Sequence, residues 1–272
     1  MQFVSRRPIR AAAAVLGLAF LAAAPARAQA PLDLVAPGRL TYGVAATFAP
    51  FEFSKDGQLT GFDIEFGAAI AAKLNLAPAP LNIEFRGLIP ALQGRRVDII
   101  NSAMYINAAR SEQVDFVPYM RIGQQMVVRR GNPRGIKGRD DLCGRSVAVT
   151  LGGIQETYAR QDAEKCQAAG RPALTVMTFP TAQDSALSVR QGRADAYYES
   201  TAGVARIVLE LSDAFEATGE IFEFGTQIGL AVRKGDTATA EALRGAVQAV
   251  AADGTYRRLM AKYNLPPEGS LF

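Results

Sequence analysis

The chain has 272 residues, 49% of them hydrophobic and 21% charged, so it is long enough to bury the core of one large domain or two small ones. It carries 30 Lys and Arg against 26 Asp and Glu, and four of the arginines but none of the acids lie in residues 1–28. Residues 29–272 therefore carry equal numbers of basic and acidic side chains, which removes any electrostatic reason to expect a nucleic-acid or anionic-membrane partner.

The first predicted element is a secretory leader over residues 1–28. Arg6, Arg7 and Arg10 precede an apolar run, 11–24, and a small-x-small motif follows, which is the pattern of a signal peptide. The run is shorter than the roughly 20 residues that a membrane span needs. The paired arginines suggest the twin-arginine route, but without the fuller pattern ordinary secretion is favoured. The sequence therefore predicts a periplasmic protein.

The sequence pattern of the first half of the remaining chain predicts alternating strands and helices. Residues 40–44 form a short apolar strand, followed by the aromatic loop ATFAPFEF and the turn DGQLTG. Asp63 is expected to cap a helix. The apolar stripe of that helix is Phe62, Phe66, Ile70 and Leu74. Residues 81–85 alternate as a strand, GLIPALQGRR predicts a helix ending at Gly94, and residues 97–100 form the next strand.

The pattern restarts after the segment RRGNPRG. The expected elements are a strand at 146–150, a helix at 154–168, a strand at 173–178, a helix at 183–191 and a strand at 194–198. Another strand, GLAV, and helices at 237–252 and 254–262 end the chain. Strands that alternate with helices favour an α/β fold with a largely parallel sheet, and the restart predicts a second domain.

The turn within VAVTLGGIQETYAR has two interpretations. Gly152 and Gly153 stand between a strand and a helix that begins at Ile154. A helix N-terminus carries free N–H groups and the positive end of the helix dipole, so this turn is a candidate anion site. Glycines at this place are equally typical of a simple tight turn.

The chain has two cysteines and no histidine. In an exported protein the pair Cys143 and Cys166 predicts a structural disulfide. Two thiolates without histidine make a poor metal site, so neither a metal nor a cofactor is expected. Catalysis by Ser-His-Asp or Cys-His groups is excluded, and no phosphate-binding or dinucleotide-binding glycine motif is present. These absences disfavour an enzyme, but they leave carboxylate chemistry open.

Five stretches in order resemble the extracytoplasmic solute-binding proteins of polar amino-acid ABC transporters. GFDIEFGAAIAAKL matches the diagnostic stretch of that family, and the other four are APFEF, GLIPALQGRRVDII with NSAMYINAARSEQVDFVPY, GRADA and DGTY. The resemblance covers nearly all of residues 37–265. It implies an α/β, two-lobed Venus-flytrap fold whose chain crosses twice between lobes. Lobe 1 would be 29–122 plus 229–272, lobe 2 would be 123–228, and the ligand would sit in the cleft between them.

The resemblance also implies roles for particular residues. Arg110 would hold the ligand carboxylate, together with backbone N–H groups of Tyr105 in lobe 1 and Ile154 in lobe 2. Ala103 and Gly153 belong to the same two segments. The aromatic positions that sandwich the ligand side chain correspond to Phe48 and Phe85. The alternatives are a surface charge for Arg110 and core packing for both phenylalanines.

Three positions depart from the family pattern. Relatives that bind basic side chains often have an acid where this chain has Ala45, so arginine, lysine and histidine are disfavoured as ligands. Tyr105 replaces the usual Ser or Thr. The acid that pairs with the ligand ammonium is replaced by Ser200, and the neighbouring Glu199 is expected to point away because strand side chains alternate. Either Glu199 turns into the cleft, or the ligand is a carboxylate without a free α-amino group.

Three functions are therefore open. The first, which we expect, is a non-enzymatic monomer that binds a small carboxylate, an amino acid or a similar acid, and delivers it to an ABC transporter permease in the inner membrane. The second is an enzyme on the same scaffold, because periplasmic cyclohexadienyl dehydratases resemble this family and need no histidine; Glu199 is the candidate acid. The third is a ligand-sensing subunit for a receptor.

Overall fold

A computed structural model gives the fold and describes residues 1–2 and 32–272. The predicted leader lies outside the described residues except for its first two. Within the described part of the chain, no helix is both long and apolar enough to cross a membrane. The strands in chain order are β1 (Arg39–Val44), β2 (Thr47–Phe48), β3 (Glu52–Lys55), β4 (Gln58–Thr60), β5 (Ala77–Asn82), β6 (Ile99–Tyr105), β7 (Val114–Arg121), β8 (Gln124–Arg129), β9 (Ser146–Thr150), β10 (Thr175–Phe179), β11 (Ala196–Ser200), β12 (Phe215–Phe222) and β13 (Gln227–Arg233).

The helices cover the faces of the sheets. In chain order they are α1 (Phe62–Lys73), α2 (Leu88–Gln93), α3 (Ala108–Ser111), α4 (Ile154–Ala168), α5 (Ala182–Arg190), α6 (Thr201–Glu210), α7 (Thr237–Ala252) and α8 (Thr255–Lys262). Helices α1, α7 and α8 pack together beside the strands β1, β5, β6 and β7, whereas α2 packs against β1, β6 and β13. Helices α4, α5 and α6 pack on the strands between β8 and β12.

Ten strands form two five-stranded sheets. The first sheet has the order β5-β1-β6-β13-β7, and the second has the order β10-β9-β11-β8-β12. In each sheet the first three strands of this order are parallel to one another. The fourth strand, β13 or β8, is antiparallel to both of its neighbours. The strands β2, β3 and β4 make a small separate sheet. The predicted α/β class with largely parallel sheets is therefore confirmed.

The chain passes between the two sheets twice. Two residues separate β7 from β8, and a short turn separates β12 from β13. Both passages lead from an edge strand of one sheet to the fourth strand of the other. The predicted lobe bounds, 29–122 plus 229–272 and 123–228, remain a prediction, and the sheet pairing places Gln227 and Ile228 with the first sheet.

The helix α1 begins differently from the expectation. Its N-cap is Gly61, and Asp63 makes no capping bond. Gly61 has φ 126°, and a Cβ there would lie 2.2 Å from the Phe51 carbonyl oxygen, so only glycine fits. Asp63 is instead fully buried and points toward β6. The apolar stripe is as predicted, since Phe62 and Phe66 are buried against Tyr119 and Tyr256.

The strand predicted at 81–85 is displaced. The structure has β5 at Ala77–Asn82, and Phe85 begins a short 3₁₀ turn that leads into α2. The strand contains Pro78 and Pro80, which argue against a strand in the sequence, yet it is tolerated because it lies at the edge of the first sheet. The sequence analysis also did not predict the long antiparallel strands β7, β8 and β12 or the helix α6.

The predicted disulfide is present. Cys143 and Cys166 are bonded, with their Cα atoms 5.5 Å apart. Cys143 follows a 3₁₀ turn at Arg139–Leu142, and Cys166 lies buried in the last turns of α4. The bond closes a loop that contains β9, the Gly-Gly turn and most of α4. It therefore fixes the segment that carries the candidate anion site.

Candidate functional site

A narrow cleft lies between elements of the two sheets. No charged residue lines it, and aromatic, small and hydroxyl side chains predominate. Its lining residues are Ala45, Thr47, Phe48, Phe85, Ala103, Tyr105, Thr150, Gly153, Ile154, Gln155 and Ala182. We call this space the cleft. Because the first six come from elements of the first sheet and the small sheet, and the other five from the second sheet, a ligand here contacts both halves of the fold.

One wall of the cleft is the N-terminus of α4. Gly152 has φ 76°, the left-handed region in which glycine is favoured, and the turn directs the first N–H groups of the helix outward. The Gly152 N–H donates to the Glu156 carboxylate at 2.8 Å. The N–H of Ile154 has no acceptor within residues 32–272. This end of the helix therefore keeps a free donor and the positive end of its dipole.

Arg110 lies beside the opposite wall. It is only 8% exposed, and its Nη1 donates to the Tyr105 carbonyl oxygen at 2.6 Å while its Nη2 donates to the Gly152 carbonyl oxygen at 2.9 Å. Its guanidinium carbon is 5.3 Å from the ring centre of Phe85. Burial lowers the pKa of Arg110 to about 10, which leaves it charged. Within residues 32–272 no carboxylate pairs with this buried charge, so its partners are carbonyl dipoles alone.

The floor of the cleft is held by a buried carboxylate. Ala103 has φ 38°, an unusual left-handed value for a residue with a Cβ. Its N–H donates to Asp63 Oδ2 at 2.6 Å, and the Tyr119 hydroxyl donates to Asp63 Oδ1 at 2.7 Å. Asp63 therefore fixes the strained backbone that lines the cleft. This role replaces the helix-capping role that the sequence suggested.

Glu52 forms a carboxyl pair with Asp63. It is fully buried, its Oε1 accepts from the Ser102 hydroxyl at 2.7 Å, and its Oε2 receives no donor within the described residues. Burial and the adjacent charge of Asp63 raise the pKa of Glu52 well above its usual value. A proton on Oε2 lets Glu52 donate to Asp63, which satisfies both oxygens. The pair therefore holds one proton and one negative charge under the cleft.

Ser200 has a structural position. It is fully buried, and its hydroxyl accepts from the Gly203 N–H at 3.0 Å as the N-cap of α6. It does not line the cleft. Near its pairing partner Gln124, two buried polar atoms have no partner within the described residues, namely Gln124 Nε2 and the Tyr105 hydroxyl oxygen. Neutral polar groups therefore occupy this part of the site.

Glu199 lies in a second cavity. It is 3% exposed, and it accepts hydrogen bonds from the Tyr197 hydroxyl and from the Ser200 N–H. Burial raises the pKa of Glu199 to about 7. It lines a space that is open to solvent on one side, which we call the side chamber. The lining residues of the side chamber are Thr47, Ala49, Ala182, Gln183, Ala186, Leu187, Arg190, Tyr197, Glu199, Arg206, Ile207, Leu211 and Phe215.

The structure thus separates the predicted binding residues into groups. Those that line the cleft are Phe48, Phe85, Ala103, Tyr105, Gly153 and Ile154. Arg110 lies next to them, whereas Glu199 lines the side chamber and Ser200 lines neither space. Their binding roles stay predictions.

Two residues of the site, Gln155 and Glu52, were not expected from the sequence. The place of Gln155 in the first turn of α4 could have indicated that it lines the cleft, whereas the motif APFEF gave no sign that Glu52 is buried.

Comparison with known proteins identifies the family. The family model for bacterial extracellular solute-binding proteins, family 3, matches residues 40–266. The chain belongs to this family. The predicted family is therefore confirmed, and family 3 proteins are extracytoplasmic solute-binding proteins rather than enzymes in general.

Curated family 3 relatives match over most of their length. The chain is 31% identical over 228 residues to the L-cystine-binding protein TcyJ of Escherichia coli (strain K12), with 83% of this chain and 82% of that protein covered. It is 31% identical over 236 residues to an L-arginine-binding protein of Pseudomonas aeruginosa, with 81% and 86% covered. The chain is thus similar to amino-acid-binding proteins of ABC transporters.

Solved family 3 structures share the fold. An ancestral arginine-binding protein bound to glutamine is 35% identical and has a TM-score of 0.76, with 84% of this chain and 99% of that chain covered. An ancestral amino acid-binding protein, AncCDT-1, described as a precursor of cyclohexadienyl dehydratase, is 32% identical with a TM-score of 0.73 and coverage of 83% and 95%. These matches confirm the two-lobed periplasmic binding protein fold.

Proposed function

We propose that the chain is a monomeric periplasmic protein that captures a small carboxylate, an amino acid or an amino-acid-like acid, in the cleft and delivers it to an ABC transporter permease in the inner membrane. The observation that carries this proposal is Arg110, a buried guanidinium without a carboxylate partner in the described part of the chain. A ligand carboxylate supplies the charge that this site lacks, through two parallel hydrogen bonds.

The opposite wall supports the same proposal. The free N–H of Ile154 and the dipole of α4 attract an anion from the side of the second sheet, while Arg110 attracts it from the first. One carboxylate held by both halves is a physical reason for the halves to close on the ligand. Phe48 and Phe85, both half-buried, provide apolar faces for the rest of the ligand.

The relatives narrow the ligand class to amino acids and their analogues. Two of them are named for L-cystine and L-arginine. A basic side chain kept inside the cleft is disfavoured, because Ala45 stands where an acid would be expected and no acid lines the cleft.

An enzyme remains the second candidate. AncCDT-1 is described as a precursor of an enzyme, and Glu199 has the raised pKa expected of a general acid or base. Glu199 lies in the side chamber, however, away from the groups that would hold the substrate carboxylate, so binding without turnover is the better-supported function. Product analysis after incubation with cyclohexadienyl carboxylates tests the enzymatic alternative.

Isothermal titration calorimetry on Arg110 variants tests the proposal. After a thermal-shift screen of amino, keto and hydroxy acids has found a ligand, Arg110→Lys and Arg110→Ala should each weaken its binding by about 2 kcal/mol or more, because the bidentate charged contact is lost. Arg244→Ala, at an exposed position of α7, is the matched control and should leave affinity unchanged. Equal affinity of all three variants would contradict the carboxylate assignment.

A further inference from the structure

The cleft and the side chamber adjoin. Thr47 and Ala182 line both spaces, so the boundary between the spaces is formed by one small side chain from β2 and one from α5. The side chamber is the larger space and is open to solvent on one side, since Leu187 and Leu211 in its lining are exposed. A ligand anchored at Arg110 and long enough to pass Thr47 and Ala182 therefore enters the side chamber.

The side chamber carries charges of both signs. Glu199 is the buried charged residue of the chamber. Its carboxylate accepts hydrogen bonds only from neutral donors, the Tyr197 hydroxyl and the Ser200 N–H. Arg206 lies 39% exposed, bonded to Glu210 at 2.7 Å. Arg190 is exposed and has no acidic partner within residues 32–272. The chamber thus presents an acid in its wall and guanidinium groups at its rim, which is the charge pattern that an ammonium with a neighbouring carboxylate requires.

Geometry separates Glu199 from an α-ammonium bound in the cleft. In an α-amino acid the ammonium and the carboxylate are attached to the same carbon, so groups that hold both must line one space. Ile154 lines the cleft and Arg110 lies next to it, bonded to the Tyr105 carbonyl oxygen, whereas Glu199 lines only the side chamber. A cation held by Glu199 therefore lies on the side-chamber side of Thr47 and Ala182, and the carboxylate at Arg110 lies on the cleft side.

We propose that the side chamber is a second subsite and that the ligand is two-headed: a carboxylate head at Arg110 and Ile154, a linker between Phe48 and Phe85, and a remote amino-acid head whose ammonium binds Glu199 and whose carboxylate binds Arg190. This inference rests on the proposed function, because it needs the first head at Arg110. It also accounts for the acid being missing at position 45, since the cation is bound beyond Thr47 and Ala182 instead.

Paired ligands test the second subsite. L-Cystine has two amino-acid heads, and S-methyl-L-cysteine keeps one head and the sulfur. By calorimetry the wild-type protein should bind L-cystine at least about tenfold more tightly. Glu199→Gln should lower the affinity for L-cystine by about 30-fold or more, the effect of removing one partner of a desolvated charge pair, and should leave S-methyl-L-cysteine unaffected. Glu164→Gln, exposed on α4, is the matched control.

A steric variant covers the case in which Glu199→Gln does not fold. Ala186→Leu, on α5, fills the side chamber without touching the cleft, and it should abolish the preference for L-cystine. Ala168→Leu at the exposed end of α4 is its control.

Affinity for L-cystine should also rise several-fold between about pH 6 and pH 7.5 in the wild type, because the pKa of Glu199 is about 7, and should stay flat in Glu199→Gln. The titrating and charged groups around Glu199 are Tyr197, Arg206, Arg190, Glu52 and Tyr105.

The outcomes separate the two proposals. If Arg110→Lys weakens both ligands but Glu199→Gln and Ala186→Leu weaken neither, the second subsite is wrong and the proposed function stands. If the wild type binds neither ligand, the second subsite is wrong, and the proposed function is decided by the screened ligand and the Arg110 variants. If Arg110→Lys weakens neither of two bound ligands, the proposed function fails and the subsite with it. Equal wild-type affinity for the two ligands also overturns the second subsite.

Discussion

The carboxyl pair under the cleft should make stability depend on pH through a single proton. Glu52 is fully buried beside Asp63, and its pKa is raised well above the usual value, so the folded protein keeps a proton there that the unfolded chain releases at about pH 4.5. A raised folded pKa gives stability that is fully present below the unfolded pKa and is lost as pH rises. We therefore predict that Glu52→Gln, which mimics the protonated group, removes this dependence.

The magnitude follows from linkage. While the folded state holds one more proton than the unfolded state, its stability falls by about 1.4 kcal/mol per pH unit. Above about pH 5.5, and until Glu52 ionises in the folded protein, the wild type should lose stability relative to Glu52→Gln with at most this slope. Glu199 is present in both proteins, whereas the pKa of Asp63, raised to about 6 by burial, depends on its partner Glu52, so the titration of Asp63 contributes to the difference.

Urea unfolding at four or five pH values measures this difference directly. The amide of the variant keeps both hydrogen bonds, to the Ser102 hydroxyl and to Asp63, so the variant should fold. Glu241→Gln, exposed on α7, is the control and should follow the wild type at each pH. Parallel stability curves for the wild type and Glu52→Gln would mean that Glu52 ionises in the folded protein as it does in the unfolded chain, which would refute the reasoning.

Two further predictions concern the second sheet. The disulfide joins cysteines separated by 23 positions, so replacing both Cys143 and Cys166 by alanine should lower the free energy of unfolding by about 3.4 kcal/mol; reduction of the wild type should give a similar loss in thermal melts, and an unchanged melting temperature would contradict it. Asp162 is 4% exposed and accepts two bonds from Arg139, at 2.7 and 2.8 Å, and one from the Tyr198 hydroxyl. Asp162→Ala should cost about 1.5–3 kcal/mol in urea unfolding, because the half-buried Arg139 and the buried Tyr198 hydroxyl lose a charged acceptor, and a loss below about 1 kcal/mol would show that solvent compensates.

Much of the fold is predictable because periodic burial and turn residues are local signals. The strand β9 and the helices α4 and α7 begin and end at the predicted residues, since each has a clear apolar period and a glycine or aspartate at its start. The edge strand β5 was displaced in the prediction because its prolines are typical of loops, and only its place at the edge of the sheet makes them acceptable.

The site was less accessible to sequence reasoning because its key contacts are long-range. Asp63 looked like a helix cap, yet the Ala103 N–H, 40 positions away, is its partner. Strand alternation did predict that Glu199 faces away from the position of Ser200, but nothing local indicated a cavity on that side. Whether a charged side chain is paired depends on residues that are distant in the sequence. Local sequence patterns therefore cannot tell which charges are paired in the folded protein.

The order of strands in the first sheet also sets when each half of the protein can be completed. The strand β13 lies between β6 and β7, and it pairs Gly229 with Met104, 125 positions earlier in the chain. All strands of the second sheet lie within residues 124–222. During synthesis, all strands of the second sheet are made before β13, which joins the parallel part of the first sheet to its edge strand β7. Because closing so long a loop costs chain entropy, we expect the first sheet to be completed after the second.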